Sequence, residues 1–158
     1  GRIEWNGPNA ECCIKTTLAR QIANWVIIYS PLQMAADLIE NYEGHPAFRF
    51  FRDFDADCDW SKALQGEIGD YIVVARRAKD RYFLGAGTDE KARTLVQKLD
   101  FLEPGVTYTA TIYADAPDAG RNPEAYLIGK RAVTARDTIR IEMAERGGQA
   151  ITFIPAEK

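Results

Sequence analysis

The chain has 158 residues, 46% of them hydrophobic and 27% charged, with a net charge of -3 and a pI near 5.3. That composition is globular, with room for one domain or one and a half small ones around a sizeable core. The acidic balance gives no general attraction for phosphate backbones or anionic lipid, which argues against nucleic acid and membrane surfaces as partners.

The chain opens on Gly1 rather than Met, which reads as a processed, tagged or internal piece of a longer protein. No basic n-region with an apolar h-region marks a signal peptide. No run approaches the ~18 apolar residues of a membrane span. Asn6-Gly7-Pro8-Asn9 is a loop signal. Thr16 or Thr17 then suits a helix N-cap. Leu18, Ile22, Trp25, Val26 and Tyr29 follow on one helical face. Ala23, Ile27 and Ile28 make the other side apolar too, so this helix is expected to pack on more than one side. It is expected to cover a neighbouring layer or to pair with a second copy of the chain. Pro31 ends it.

Leu32 to Ala36 is a short apolar piece with the look of a buried strand end, closed by Asp37. Glu43-Gly44-His45-Pro46 is a turn, and Ala47 to Phe54 reads as a short amphipathic helix starting near Pro46. Asp55 to Asp59 is an acidic connector.

Beyond the connector the period drops to two. Tyr71 to Ala75 and Tyr82 to Leu84 flank Ala78-Lys79-Asp80 as a hairpin. Leu95 to Leu99, Thr107 to Tyr113, Tyr126 to Val133, Thr138 to Met143 and Ala150 to Ile154 read as further strands. About seven or eight short antiparallel strands with regular turns predict a sandwich or jelly roll. The expected class is therefore α+β, with a helical segment over residues 1–57 followed by an antiparallel β-sandwich over residues 58–158. The helical part has too few residues to close a core alone.

Few residues suggest chemistry. Cys12, Cys13, Cys58 and the single His45 lack zinc-site spacing, and three cysteines imply no disulfide framework. His45 sits in a turn with no nucleophile motif nearby and reads as a loop residue. Gly85-Ala86-Gly87-Thr88 lacks the third glycine of a dinucleotide loop, and Asp89-Glu90 would repel a pyrophosphate, so it reads as a tight turn out of a strand. Arg76, Arg77 and Lys79 form a small basic cluster expected at a solvated turn. Trp5, Trp25, Trp60, Tyr113 and Tyr126 are the aromatics available to stack on a sugar face. Trp25 falls on the helical stripe and Tyr113 on the threonine face of its strand, where exposure is expected. Asp37 is the one carboxylate placed just after an apolar strand-like segment, although a turn or helix-capping role explains it as well.

Three stretches carry a resemblance. "TTLARQIANWVIIYSPLQMAADLIENY" resembles the last part of the catalytic barrel of glycoside hydrolase family 97, a family of α-glucosidases and α-galactosidases. "DWSKALQGEIGDYIVVARRAKDRYFLGAGTDEKARTLVQKLDFL" and "YTATIYADAPDAGRNPEAYLIGKRAVTARDTIRIEMAERGGQAITF" resemble that family's C-terminal β-domain. The match runs collinearly over roughly residues 14–154. Two departures, at Arg81 to Gly85 and at Arg146 to Gln149, lie in the β-domain and bear on packing rather than chemistry.

The resemblance implies a C-terminal piece of an α-glycosidase, with residues 1–57 the remnant of an (α/β)8 barrel. Gln33 and Asp37 would then lie near the barrel mouth as sugar contacts. The family's acid–base glutamates, its aspartate nucleophile in retaining members and its calcium-binding glutamates would all lie upstream. No catalytic residue, metal ligand or cofactor is therefore expected in this chain, and alone it is expected to be inactive. Calcium and an oligosaccharide substrate are implied for the parent, and a periplasmic or extracellular location by the same analogy. A homodimer through the N-terminal helix is a further expectation. The rival reading is a non-catalytic carbohydrate-binding or structural module, which would show coplanar exposed aromatics.

Overall fold

A computed structural model describes residues 15–30, 32–34 and 39–156. Among them eight strands follow the alternating segments: β1 (Trp60–Glu67), β2 (Tyr71–Ala78), β3 (Arg81–Thr88), β4 (Arg93–Lys98), β5 (Tyr108–Asp115), β6 (Tyr126–Val133), β7 (Thr138–Met143) and β8 (Gly148–Pro155). Six make one sheet in the order β1-β2-β3-β8-β5-β6, and β4 pairs with β7 as a second layer. Every pairing is antiparallel. The fold is α+β and dominated by an antiparallel sandwich, as the period-two segments imply.

The turns explain the register. Between β2 and β3, Lys79 adopts a left-handed backbone with φ 59. Its N–H donates to Asp59 Oδ2 at 2.8 Å, and its ammonium pairs with Asp55 at 3.1 Å. The acidic connector therefore pins this hairpin turn. Side chains also tie the two sheets together at their rims. Gln65 on β1 donates to the Val96 carbonyl of β4 at 3.3 Å, and Arg131 on β6 donates to the Thr138 carbonyl of β7 at 2.6 Å.

The large sheet is covered on both faces. On one face Leu84, Tyr82, Tyr108, Ile151 and Phe153 pack with Ile139 and Ile141 of the small layer and with Leu99. On the other lie helix α1 (Leu18–Ile27), helix α2 (Ile39–Tyr42) and a 3-10 turn (Pro46–Phe48) that runs into helix α3 (Arg49–Asp53). Here Ile22, Ala23, Val26 and Phe50 pack with Ala78, Phe83, Tyr113 and Ala150. Double coverage explains why β3 and β8 are buried almost end to end.

Helix α1 lies on a floor of small residues. A Cβ on Gly85 of β3 would stand 2.7 Å from the Ala23 carbonyl and 2.8 Å from Val26 Cβ. One on Gly148 of β8 would stand 2.8 Å from Arg20 Cα. Only glycine admits a helix backbone this close. The helix answers with Ala19 and Ala23, both fully buried.

Both ends of α1 are fixed to the sheet domain. At the N-terminus the Thr17 hydroxyl accepts from the Arg20 N–H at 3.1 Å, and the Leu18 N–H donates to the Pro123 carbonyl at 2.8 Å. At the other end α1 carries no basic residue in its last turn. The cation comes from the sheet instead. Arg76 of β2, only 2% exposed, donates through Nε to the Val26 carbonyl at 2.5 Å and through Nη2 to the Ile27 carbonyl at 3.4 Å. It satisfies free carbonyls and places positive charge at the negative end of the helix dipole. The Tyr29 ring covers its guanidinium at 4.9 Å.

Four expectations change. Gly85 to Thr88 is the interior of β3 rather than a turn out of it, because its glycines serve as the seat of α1. Arg76 is no part of a solvated cluster, since strand alternation turns it beneath the helix. Tyr113 is fully buried on the threonine face, because α3 covers that face and Phe50 meets its ring edge-on at 5.6 Å. Leu32 to Met34 form no strand, and Leu32 and Met34 are exposed, while residues 35–38 lie outside those described. Of the two fates proposed for the first helix, covering a layer is the one observed: Ile22 and Val26 are buried against the sheet.

Two substitutions test this seating. Gly85→Ala should cost about 1–3 kcal/mol in urea unfolding, since the clash is with backbone that cannot give way. Gly120→Ala, where a Cβ meets nothing within 4 Å, should be near neutral by the same measurement. Arg76→Met keeps the apolar stem but leaves buried carbonyls unpaired, and should cost about 1–3 kcal/mol.

Candidate functional site

The candidate surface begins where α1 ends. Four large apolar side chains stand open within seven residues: Ile28 (62% exposed), Tyr29 (59%), Leu32 (73%) and Met34 (79%). They follow the last turn of a helix that is itself held rigidly by Arg76. A cluster of this kind marks a contact with another body more often than a free surface.

Gln33 lies inside this patch. Its amide nitrogen approaches the carbonyls of Ile28 at 3.2 Å, Trp25 at 3.4 Å and Ser30 at 3.4 Å. The side chain thus folds back as a second cap for the end of α1. Asp37, the other expected sugar contact, lies outside the described residues.

A second feature is an open cleft of about 380 Å³ at the opposite end of α1, lined by Arg20, Glu67, Ile68, Tyr71, Thr88 and Asp89. Arg20 donates to Asn24 Oδ1 at 3.0 Å and to the Thr88 carbonyl at 3.1 Å. Burial draws its pKa down, and Asp115 opposes that. Beneath the cleft Arg93 pairs with Asp70 at 2.7 Å and with Asp89, and lies over the Tyr71 ring at 5.5 Å. The Arg93 hydrogen bond holds the Asp89 carboxyl below its usual range. A general acid needs the opposite shift, so Asp89 is a structural ion-pair partner.

One carboxyl is shifted upward. Asp115 at the end of β5 is pushed up by burial, against the Thr17 hydroxyl, the Ala144 and Gly148 N–H groups and Arg20. Its Oδ2 accepts from the Ala144 N–H at 2.9 Å and the Gly148 N–H at 3.0 Å. These bonds close the turn between β7 and β8, which in turn receives the Thr17 N–H at the Arg146 carbonyl. Asp115 therefore fastens the start of α1, and sequence spacing offered no signal for it.

The aromatics are mostly internal. Trp25 packs on Phe51 at 4.4 Å, and Trp60 meets Tyr82 at 6.1 Å. His45 is a loop residue that caps the 3-10 turn through Nδ1 and stacks on Tyr126 at 5.4 Å. Among the described residues Tyr29 is the one aromatic with a large exposed surface, and it lies on Arg76. Trp5 is outside the described residues. A stacking platform of coplanar exposed rings is therefore not formed by the described residues. Nor do three or more His, Cys, Asp or Glu side chains gather among them.

Comparison with known proteins places this architecture. A retaining α-galactosidase of Bacteroides thetaiotaomicron is 32% identical over 136 residues, which is 85% of this chain and 20% of that protein. A glycoside hydrolase family 97 enzyme from Pseudoalteromonas sp. strain K8, solved in complex with acarbose, matches with 44% identity and a TM-score of 0.89. That match covers 92% of this chain and 24% of the enzyme. A β-arabinopyranosidase structure, 24% identical with a TM-score of 0.71 over 87% of this chain and 21% of its own, shares the fold. The chain thus spans about a fifth to a quarter of the length of these relatives. The family model described as glycosyl-hydrolase 97 C-terminal, oligomerisation, matches residues 57–154. With its doubly covered sheet and this match over more than half of its length, the chain belongs to the glycoside hydrolase 97 C-terminal family.

Proposed function

We propose that this chain is the C-terminal part of an α-glycosidase, an α-glucosidase or α-galactosidase, and that it supports a catalytic barrel rather than performing hydrolysis. The observation that carries this reading is the apolar patch of Ile28, Tyr29, Leu32 and Met34 at the end of a rigidly seated helix. The patch lies within the stretch that resembles the close of a barrel. A barrel docked there would cover it, and the segment around Gln33 and Asp37 would run toward the barrel mouth. Asp37 would serve the sugar directly. Gln33 would hold the helix end that presents it.

Glycoside hydrolysis requires two carboxyl groups flanking the scissile bond. In this reading both come from the preceding part of the parent, together with any calcium and the oligosaccharide site. The β-domain then has two tasks: to buttress the barrel and, as its family description suggests, to bring copies together. A periplasmic or extracellular setting follows from the same family likeness.

The rival reading, a carbohydrate-binding module, finds little support among the described residues, where the one well-exposed aromatic, Tyr29, lies against Arg76. A pair of assays separates the readings. The purified chain should release no aryl alcohol from aryl α-glucosides or α-galactosides, and calorimetric titration with maltooligosaccharides should show no heat of binding. Specific turnover would overturn the division of labour proposed here. Saturable binding would favour the carbohydrate-binding module.

A further inference from the structure

The helical layer lies unevenly on the large sheet. α1 rests on β3 and β8, at Gly85 and Gly148. The 3-10 turn and α3 rest on β5 and β6, where Phe50 meets Tyr113 at 5.6 Å and His45 meets Tyr126 at 5.4 Å. β1 and β2 complete the sheet on the far side of β3. α1 reaches the Arg76 end of β2. Toward the β1–β2 hairpin tip the same face opens into the cleft walled by Arg20.

Register shows what lines this open strip. Ser61 pairs with Arg76, Ala63 with Val74 and Gly66 with Ile72, and directly paired residues share a face. Arg76 lies beneath α1, and Ile72 pairs with Gly87, which lies beneath Arg20. Ser61, Ala63 and Gly66 therefore face the helical side, and all three are exposed. They form a floor of small residues like the one that seats α1. Ile72 is half-buried beside them, and Ile68 at the hairpin tip is fully exposed. The rim is acidic: Glu67 is exposed, and Asp70 and Asp89 share the guanidinium of Arg93. Spacing completes the picture. The line between β1 and β2 lies two strand intervals from the line between β3 and β8. That is about 10 Å, the separation of packed helices. The line between β5 and β6, which carries α3, lies two intervals away on the other side.

We propose that this strip is the berth of a third helix, supplied by the part of the parent that precedes this chain, so that three helices lie side by side on the sheet. The length of the relatives provides for it, since this chain spans about a fifth to a quarter of them. The berth adjoins α1, whose far end carries the apolar patch assigned to the barrel. The helix that fits sets small and apolar side chains on Ala63, Gly66 and Ile68 and turns lysine or arginine to the acidic rim. The inference rests on the barrel contact proposed above and adds a second place of contact, on the β1–β2 flank. Its test separates the two.

Iodoacetamide labelling, read by peptide mass spectrometry, is compared between the 158-residue chain and the full-length parent. Ala63→Cys and Ile68→Cys probe the berth, and Met34→Cys probes the patch at the end of α1. In the isolated chain all three sites should react freely, because the side chains replaced are exposed; melting temperatures check that the variants fold. In the parent the two berth sites should react about tenfold more slowly or less, since labelling then waits on local opening. A benzophenone attached at position 63 should capture residues three or four apart in one upstream segment, the spacing of a helix face. Free labelling of both berth sites in the parent, with position 34 protected, overturns the berth and leaves the barrel contact standing. Free labelling at all three overturns both. Protection of the berth with position 34 open supports the third helix and overturns the contact at the patch. Capture of a second copy of this chain, or of alternate residues, overturns the helix as the occupant.

Discussion

The close approach of one helix backbone to two strands sets the organisation of this molecule. Gly85 and Gly148 remove side chains where α1 crosses the sheet, and Ala19 and Ala23 remove them from the helix. The resulting contact lets Ile22 and Val26 reach the layer around Phe83 and Ala150. Burial of such side chains is worth about 1.5–3 kcal/mol each. A short helix is marginal in water alone, so this packing makes it stable. The sheet in turn needs the helix, because β3 and β8 would otherwise turn an apolar face to solvent.

Electrostatics complete the attachment. Arg76 reaches across from β2 to the carbonyl end of α1, and Asp115 ties together the turn that receives its start. A buried arginine facing carbonyls rather than a carboxylate would be costly in isolation. Here the helix dipole, two carbonyl acceptors and the Tyr29 ring share its charge. The same arrangement holds the following segment in place, with Ile28, Tyr29, Leu32 and Met34 outward. Structure and proposed function meet at that point: a rigid helix end that presents an apolar surface to a preceding domain.

Much of this was legible in the residues. Clean alternation in Thr138 to Met143 marks its strand, the apolar stripe from Leu18 marks α1, which ends at Ile27 rather than running to Pro31, and of Thr16 and Thr17 it is Thr17 that caps it, because its hydroxyl chemistry is local. The strand class survived even where face assignments failed. Tyr113 was misplaced because alternation identifies two faces but cannot say that both are covered. Gly85 and Gly87 looked like a turn because glycine's usual meaning is conformational, whereas here it is steric and depends on a helix more than fifty residues away. Arg76 was hidden by Arg77 beside it and by Lys79, which does lie in the turn. Asp115 gave no local signal at all. The candidate sugar contacts rested on resemblance, and of the two only Gln33 has a described position, as a cap on α1.

The central claim is that α1 is an integral layer of this domain. Native-state hydrogen exchange of the amides from Ile22 to Val26 across rising denaturant tests it most directly. If the helix is integral, these amides exchange only by global unfolding, with the same free energy and denaturant slope as those of β3 and β8. Exchange through a low-energy opening independent of denaturant, while the sheet stays protected, would mean that α1 is a detachable appendage and would contradict the account.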